Sequence, residues 1–199
     1  MSDDDKNTKT GSEEDKSDNE SVETEWANLD AGLFIRTEVR KPHLTFRAFD
    51  ENTGGIIFEA KRCWAGYTIY DHEQKCLGVF EMNWGRTHYA LKAHSDKHVI
   101  VEINYNFSTP YHTFEIKDLH SGTVIKNRLP VWRKQYNCWN LNFRKKDYRT
   151  STKNFQMADE KGVAIIEMGK LEDGYYRLEH VPDIDRMHLF VLAITRFQI

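Results

Sequence analysis

DIDRMHLFVLAITRFQI, residues 183–199, decides how the rest of the chain folds. From Leu189 to Ile194 every side chain is apolar, and Ala, Leu and Met outweigh β-branched residues across the stretch. Pro182 precedes it and Asp183 supplies an N-cap, so the spacing predicts a helix over 183–199. A helix that is apolar all round must be buried on every side. The competing reading is a final edge strand, which Phe190, Val191 and Ile194 would tolerate.

The segments before it alternate with the period of strands. In HVIVEINYNF, residues 98–107, Val99, Val101, Ile103, Tyr105 and Phe107 fall on one face. HLTFRAF (43–49), GIIFEA (55–60), GYTIYD (66–71), LGVFEM (77–82) and THYALK (87–92) read the same way. So do HTFEIKDL (112–119), CWNLNFR (138–144), VAIIEM (163–168) and YYRLEH (175–180). Turn signals separate them at Asp50–Gly54, Ser121-Gly122, Asp159–Gly162 and Glu172–Gly174. Many short strands without crossover helices predict an antiparallel sandwich or barrel, with the apolar helix inside a closed barrel.

Charge divides the chain. Residues 1–30 hold 11 acids and 3 bases, whereas residues 31–199 hold 20 acids and 25 bases. Residues 1–25 carry almost no apolar side chains and cannot offset their ordering entropy, so they read as a disordered acidic tail. The tail is either a solubilising extension or an arm that folds back on the basic domain of residues 26–199. No secretory signal or membrane-length apolar run is visible. Cys63, Cys76 and Cys138 are odd in number and widely spaced, as expected of reduced thiols rather than a disulfide or zinc framework. These features predict a cytoplasmic chain, held peripherally at the inner membrane surface or present in the nucleus.

KNRLPVWRKQYNCWNLNFRKKDYRTSTKNFQM, residues 126–157, carries a resemblance to a known family. Pro130-Val131-Trp132, Leu141-Asn142-Phe143 and Lys153-Asn154-Phe155-Gln156 follow in one order, and AIIEMGKLEDGYYRLEH (164–180) continues the pattern. This stretch resembles the tubby C-terminal domain, and the resemblance extends over about residues 33–199. It implies a mostly β fold, a closed antiparallel barrel wrapped around a buried hydrophobic C-terminal helix. It further implies a non-catalytic adaptor that binds phosphatidylinositol bisphosphate in membranes through basic side chains, in membrane or ciliary trafficking or signalling.

The positions matching the family's lipid site are Lys61 and Arg62, in FEAKRCWAGYTIYD, with Arg86 as a third base. Both residue types suit inositol phosphates. The chain departs from the family in having only two bases here and Glu81 where a base is common; Arg86, Lys92 or Arg47 would have to compensate. Lys61 and Arg62 also read as ordinary surface charges. RKKDYR (144–149) is either a phosphate-contacting or a solvated loop, and Lys153–Gln156 reads as structural, with Phe155 pointing into the barrel.

Nine scattered histidines form no metal-ligand spacing, and no nucleophile or phosphate-loop motif is present. The resulting expectations are no enzyme, no cofactor, no nucleic-acid partner, an unidentified protein partner and a monomeric state. The alternative function is a protein-interaction or nuclear regulatory scaffold without lipid binding.

Overall fold

A computed structural model of the chain describes residues 25–29, 31–40, 43–108, 112–145 and 147–199. The acidic tail of residues 1–25 lies outside these residues except for Glu25. Nine strands follow one another as a meander: β1 (Ala31–Arg40), β2 (His43–Asp50), β3 (Ile56–Arg62), β4 (Gly66–Asp71), β5 (Cys76–Met82), β6 (His88–Ala93), β7 (Val99–Asn106), β8 (Thr113–Asp118) and β9 (Val124–Asn127). The chain then leaves the wall to form a small hairpin, β10 (Val131–Arg133) and β11 (Cys138–Asn140). It returns as β12 (Phe155–Ala158), β13 (Ala164–Glu172) and β14 (Tyr175–His180), and ends in helix α1 (Arg186–Gln198).

Twelve of these strands close a barrel whose pairings are all antiparallel. The closing seams are β1 with β14, where Leu33 faces Leu178, and β9 with β12, where Asn127 faces Met157. Alternation sets the inner wall: Leu33, Ile35, Phe46, Ile69, Phe80, Leu91, Ile103, Ile166 and Leu178 are all fully buried. The expected strand CWNLNFR survives only as Cys138–Asn140, and it lies outside the barrel, paired with Val131–Arg133. Its apolar alternation has another use. Trp139 packs edge-on against Trp132 with ring centres 5.3 Å apart, while Phe143 meets Tyr148 at 5.7 Å.

Helix α1 fills the barrel, as its lack of a polar face predicts. Leu189 through Thr195 have no exposed surface. Phe190 stacks on Phe58 of β3 at 5.7 Å, and Phe197 contacts both Phe46 of β2 at 5.4 Å and Tyr176 of β14 at 4.8 Å. The polar Thr195 is satisfied within this apolar surface: its hydroxyl donates to the Leu192 carbonyl at 2.6 Å and shares a 2.6 Å hydrogen bond with the Tyr105 hydroxyl. The cap is Asp185 rather than Asp183, and its carboxylate accepts from the Met187 N–H at 2.7 Å. Residues 182–184 are spent on a turn that brings the chain over the barrel end before the helix enters.

Both ends of the helix are tied to the barrel rims. At its start, Arg186 pairs with Asp50 at 3.1 Å and His188 lies 3.7 Å from Asp118. At its end, Arg86 donates to the Gln198 carbonyl and Lys153 to the Ile199 main-chain oxygen. Those two cations complement the negative end of the helix dipole. Lys153–Gln156 is structural as expected: Phe155 is buried, Asn154 bonds the Arg149 carbonyl at 2.9 Å, and Gln156 the Asn142 carbonyl at 2.8 Å.

The segment between β11 and β12 covers a patch of the outer wall, and two buried carboxylates, Glu167 and Glu179, face each other beneath it. Glu179 accepts from Arg144 at 3.2 Å, Lys145 at 2.8 Å and the Tyr148 hydroxyl at 3.2 Å, with Arg177 at 3.5 Å. Burial pushes its carboxyl up, but these cations outweigh burial and hold it below the ordinary range. Within RKKDYR, Arg144, Lys145 and Tyr148 thus clamp Glu179 from above the wall.

Glu167 has the opposite balance. Burial dominates and raises its carboxyl; one oxygen accepts from the Arg144 N–H at 3.1 Å and Gln156 at 3.2 Å, and the other has no partner. A carboxyl raised in the folded state contributes stability at low pH, lost as pH rises above its ordinary value of 4.5. Glu167→Gln should therefore match or exceed the wild-type Tm at pH 7–8, and that advantage should shrink as pH falls toward the unfolded value. Thermal melts of both proteins across pH check the sign.

Candidate functional site

Adjacent strand residues point to opposite faces, and this rule separates two of the three expected site residues. Lys61 and Arg62 both end β3. Lys61 lies on the outer wall, where its ammonium pairs with Glu59 at 2.9 Å, donates to Gln74 at 2.7 Å and sits 4.8 Å from the Tyr70 ring centre. Glu59 also binds Arg47 at 2.9 Å, so two cations share one carboxylate. Burial raises the Glu59 carboxyl, but Lys61 and Arg47 outweigh it and hold the group ionised.

Arg62 takes the inner side at the rim. It is opposite the buried Tyr67 in register, and its guanidinium lies 5.1 Å from the centre of that ring. Among the described residues no carboxylate pairs with Arg62, which leaves its hydrogen-bonding fork available on an exposed side chain. Arg86 belongs to the same end of the barrel, on the β5–β6 turn, but it reaches over the mouth to the end of α1. The structure thus brings Arg62 and Arg86 to one rim and leaves Lys61 beside it on the wall. Lys92 does not stand free either: it bonds Glu81 at 2.7 Å, so the carboxylate that departs from the family pattern is neutralised from within the chain.

Two hairpin tips project from this rim. The β3–β4 turn is closed by Cys63 and Gly66, whose N–H groups reach each other's carbonyls at 3.0 and 3.3 Å, leaving Trp64-Ala65 at the tip. Gly66 is required there: a Cβ would come within 2.1 Å of the Phe80 carbonyl oxygen. In the β5–β6 turn the Asn83 carboxamide accepts from the N–H groups of Thr87 at 2.9 Å and His88 at 3.1 Å, and holds up Trp84-Gly85. The two tips are neighbours, since the Met82 N–H donates to the Ala65 carbonyl at 3.3 Å. Trp64 and Trp84 are as exposed as in an extended peptide, at 102% and 105%. Sequence reasoning passed over both; an aromatic flanked by turn residues on each of two successive hairpins was the available signal.

A cleft of about 770 Å³ lies elsewhere, between the barrel wall and the β11–β12 segment. Arg128, Trp139, Phe143, Arg149, Asn154 and Arg196 are among its lining residues. Arg196 is committed to structure, donating to the Thr152 carbonyl at 2.7 Å with its guanidinium 4.9 Å from the Phe114 ring centre. Among the described residues no group of three or more His, Cys, Asp or Glu is placed to hold a metal ion, and no helix is long and apolar enough to cross a membrane. The three cysteines are free thiols.

Comparison with known proteins gives a consistent picture. The model of the Tub family matches residues 81–199, more than half of the chain. Tubby-like F-box protein 5 of Oryza sativa subsp. japonica is 29% identical over 85 residues, covering 37% of this chain and 20% of that protein. Tubby protein homolog 1 of Caenorhabditis elegans is 23% identical over 104 residues, covering 51% of this chain and 22% of its own length. Tubby-related protein 1 of Mus musculus is 25% identical over 83 residues, covering 41% and 15%. The chain thus spans about a fifth of the length of the curated relatives it matches. Arg86 lies inside the family match, and Lys61 and Arg62 lie before it.

Proposed function

Because this chain belongs to the Tub family, we propose that it is a non-catalytic adaptor that binds bisphosphorylated phosphoinositides at the cytoplasmic face of membranes. The observation that supports this reading best is Arg62: exposed, over the Tyr67 ring, and without a carboxylate partner among the described residues. Contact with the ring restricts the side chain, so a bidentate bond to a phosphate costs less side-chain freedom than it would from a free surface arginine. Lys61 adds a second cation from the adjoining wall, since Glu59 is already served by Arg47. Arg86 contributes field from across the mouth while its hydrogen bond remains with the helix end.

A scaffold that binds a protein partner is the second reading, and one observation favours it. Trp132 and Trp139 form a half-exposed aromatic pair on the external β10–β11 hairpin, beside the 770 Å³ cleft. Aromatic anchors of this kind are enriched at protein interfaces.

The two readings separate by mutation. Lys61→Ala/Arg62→Ala should weaken binding to vesicles containing phosphatidylinositol bisphosphate by roughly tenfold or more, the loss expected from one or two charge-assisted hydrogen bonds. Lys75→Ala/Lys161→Ala removes the same charge from exposed turns at the opposite barrel end and should change binding far less. Equal losses in a co-sedimentation assay would reduce the site to a diffuse basic surface.

A further inference from the structure

Two fully exposed tryptophans on adjacent, internally hydrogen-bonded hairpins are an expensive arrangement for a protein surface. Of the five tryptophans, only Trp64 and Trp84 exceed the exposure of an extended chain, and both project from the rim that carries Arg62 and Arg86. Their exposure follows from the backbone. The Cys63–Gly66 pair closes a two-residue turn, and Asn83 braces the next turn through three hydrogen bonds at 2.8–3.1 Å. Neither ring lines the cleft beneath the β11–β12 segment, the one along β7–β9 or the one at the start of α1. Phe107, 37% exposed, follows β7 at the same barrel end.

We propose that Trp64 and Trp84 form a wedge that inserts into the interfacial layer of a lipid bilayer beside the headgroup site. This inference rests on the phosphoinositide reading and adds a second, independent contact to it. The occupant is a membrane for three reasons. Indole rings partition to the water–lipid interface, where an apolar ring and one N–H donor are both accommodated. A protruding ring needs no matching cavity in a fluid partner, whereas an aromatic anchor at a protein interface fills a pocket. Residues 62–66 and 83–88 hold two arginines and no acid, so the surface around both rings complements an anionic leaflet.

The geometry assigns separate tasks. Arg62 at the root of the first hairpin reads phosphate, and the tips two residues further on enter the headgroup layer. The helix end secured by Arg86 keeps the second hairpin against the mouth of the barrel. One dock supplies specificity and the other supplies residence on the membrane, because apolar insertion is not screened by salt.

The test titrates full-length wild type, Trp64→Ala/Trp84→Ala and Arg62→Ala with three probes. These are phosphatidylcholine vesicles carrying phosphatidylinositol bisphosphate, the same vesicles with brominated acyl chains, and soluble inositol trisphosphate. Equal melting temperatures establish that the variants are folded, which full exposure of both rings predicts. Wild-type fluorescence should be quenched by brominated chains, and the quenching should fall to the residual of the other three tryptophans in the double variant. That variant should lose about tenfold or more in vesicle affinity yet bind the soluble headgroup as wild type does. Arg62→Ala should lose affinity for both.

Wild-type vesicle affinity in the double variant, or wild-type fluorescence untouched by bromine, overturns the wedge and leaves headgroup recognition standing. Quenching on vesicles without any binding of inositol trisphosphate supports the wedge and overturns phosphoinositide recognition. No vesicle binding by wild type overturns both and hands the tryptophans to a protein partner.

Discussion

Leu192→Asp should abolish soluble folding. Leu192 is at the centre of α1 with no exposed surface and belongs to the apolar cluster that fills the barrel. An unpaired buried carboxylate costs several kcal/mol, and lost packing of the leucine adds about 2–5 kcal/mol. A domain stable by about 5–15 kcal/mol has little left after both. The protein should appear in the insoluble fraction, or show no cooperative melt by circular dichroism. Leu192→Met preserves volume and polarity and should melt within a few degrees of wild type. A cooperative, native-like melt for Leu192→Asp would mean that α1 does not fill the barrel.

Glu179→Ala should produce the second-largest loss, about 3–5 kcal/mol, because it removes the buried carboxylate that Arg144, Lys145 and Arg177 share, while Arg177 keeps its second partner, Glu51. Its effect should reach beyond the wall. Arg144 and Tyr148 also hold down the segment that leads into β12, so that segment should become sensitive to protease before the barrel melts. The pH dependence has the opposite sign from that of Glu167. A carboxyl held below its ordinary range contributes stability that is present above the unfolded value of 4.5 and is lost as pH falls through the lower folded value. Wild type should therefore approach Glu179→Ala in stability at strongly acid pH. A constant difference between the two melts across pH would show that the ion pairs are not the source of the loss.

The helix and most barrel strands were legible because they depend on periodicity. An unbroken apolar run cannot be solvated, and Val101, Ile103 and Tyr105 line the inner wall as their spacing requires. β1 and β12 were harder to see. β1 sets only Leu33 and Ile35 inside, between Gly32, Phe34 and Arg36, and four-residue β12 presents the unalternating Phe-Gln-Met-Ala, buried on both faces because the β11–β12 segment covers it. CWNLNFR misled for the converse reason, since its alternation serves aromatic pairs outside the barrel. At the rim, the sequence named Lys61, Arg62 and Arg86 but not the directions their side chains take. Lys61 and Arg62 are adjacent in the chain and diverge in space, and Arg86 is drawn to the helix end by carbonyls 112 residues away. Charge partners such as Glu81 with Lys92 arise across strands and have no signature in one sequence. The exposed tryptophans were passed over for a related reason: a tryptophan in a chain normally signals core, and although turn residues flank both, it is the turn geometry that shows Trp64 and Trp84 pointing outward.

The central claim is that the rim around Arg62 reads phosphate groups rather than net membrane charge, and one measurement tests it most directly. Wild-type protein is co-sedimented at physiological salt with vesicles of equal surface charge, made with phosphatidylinositol bisphosphate in one series and phosphatidylserine in the other. Geometric recognition predicts at least about tenfold tighter binding to the bisphosphate series, with a difference that persists as salt is raised. Equal binding to the two series, vanishing together with salt, would contradict it.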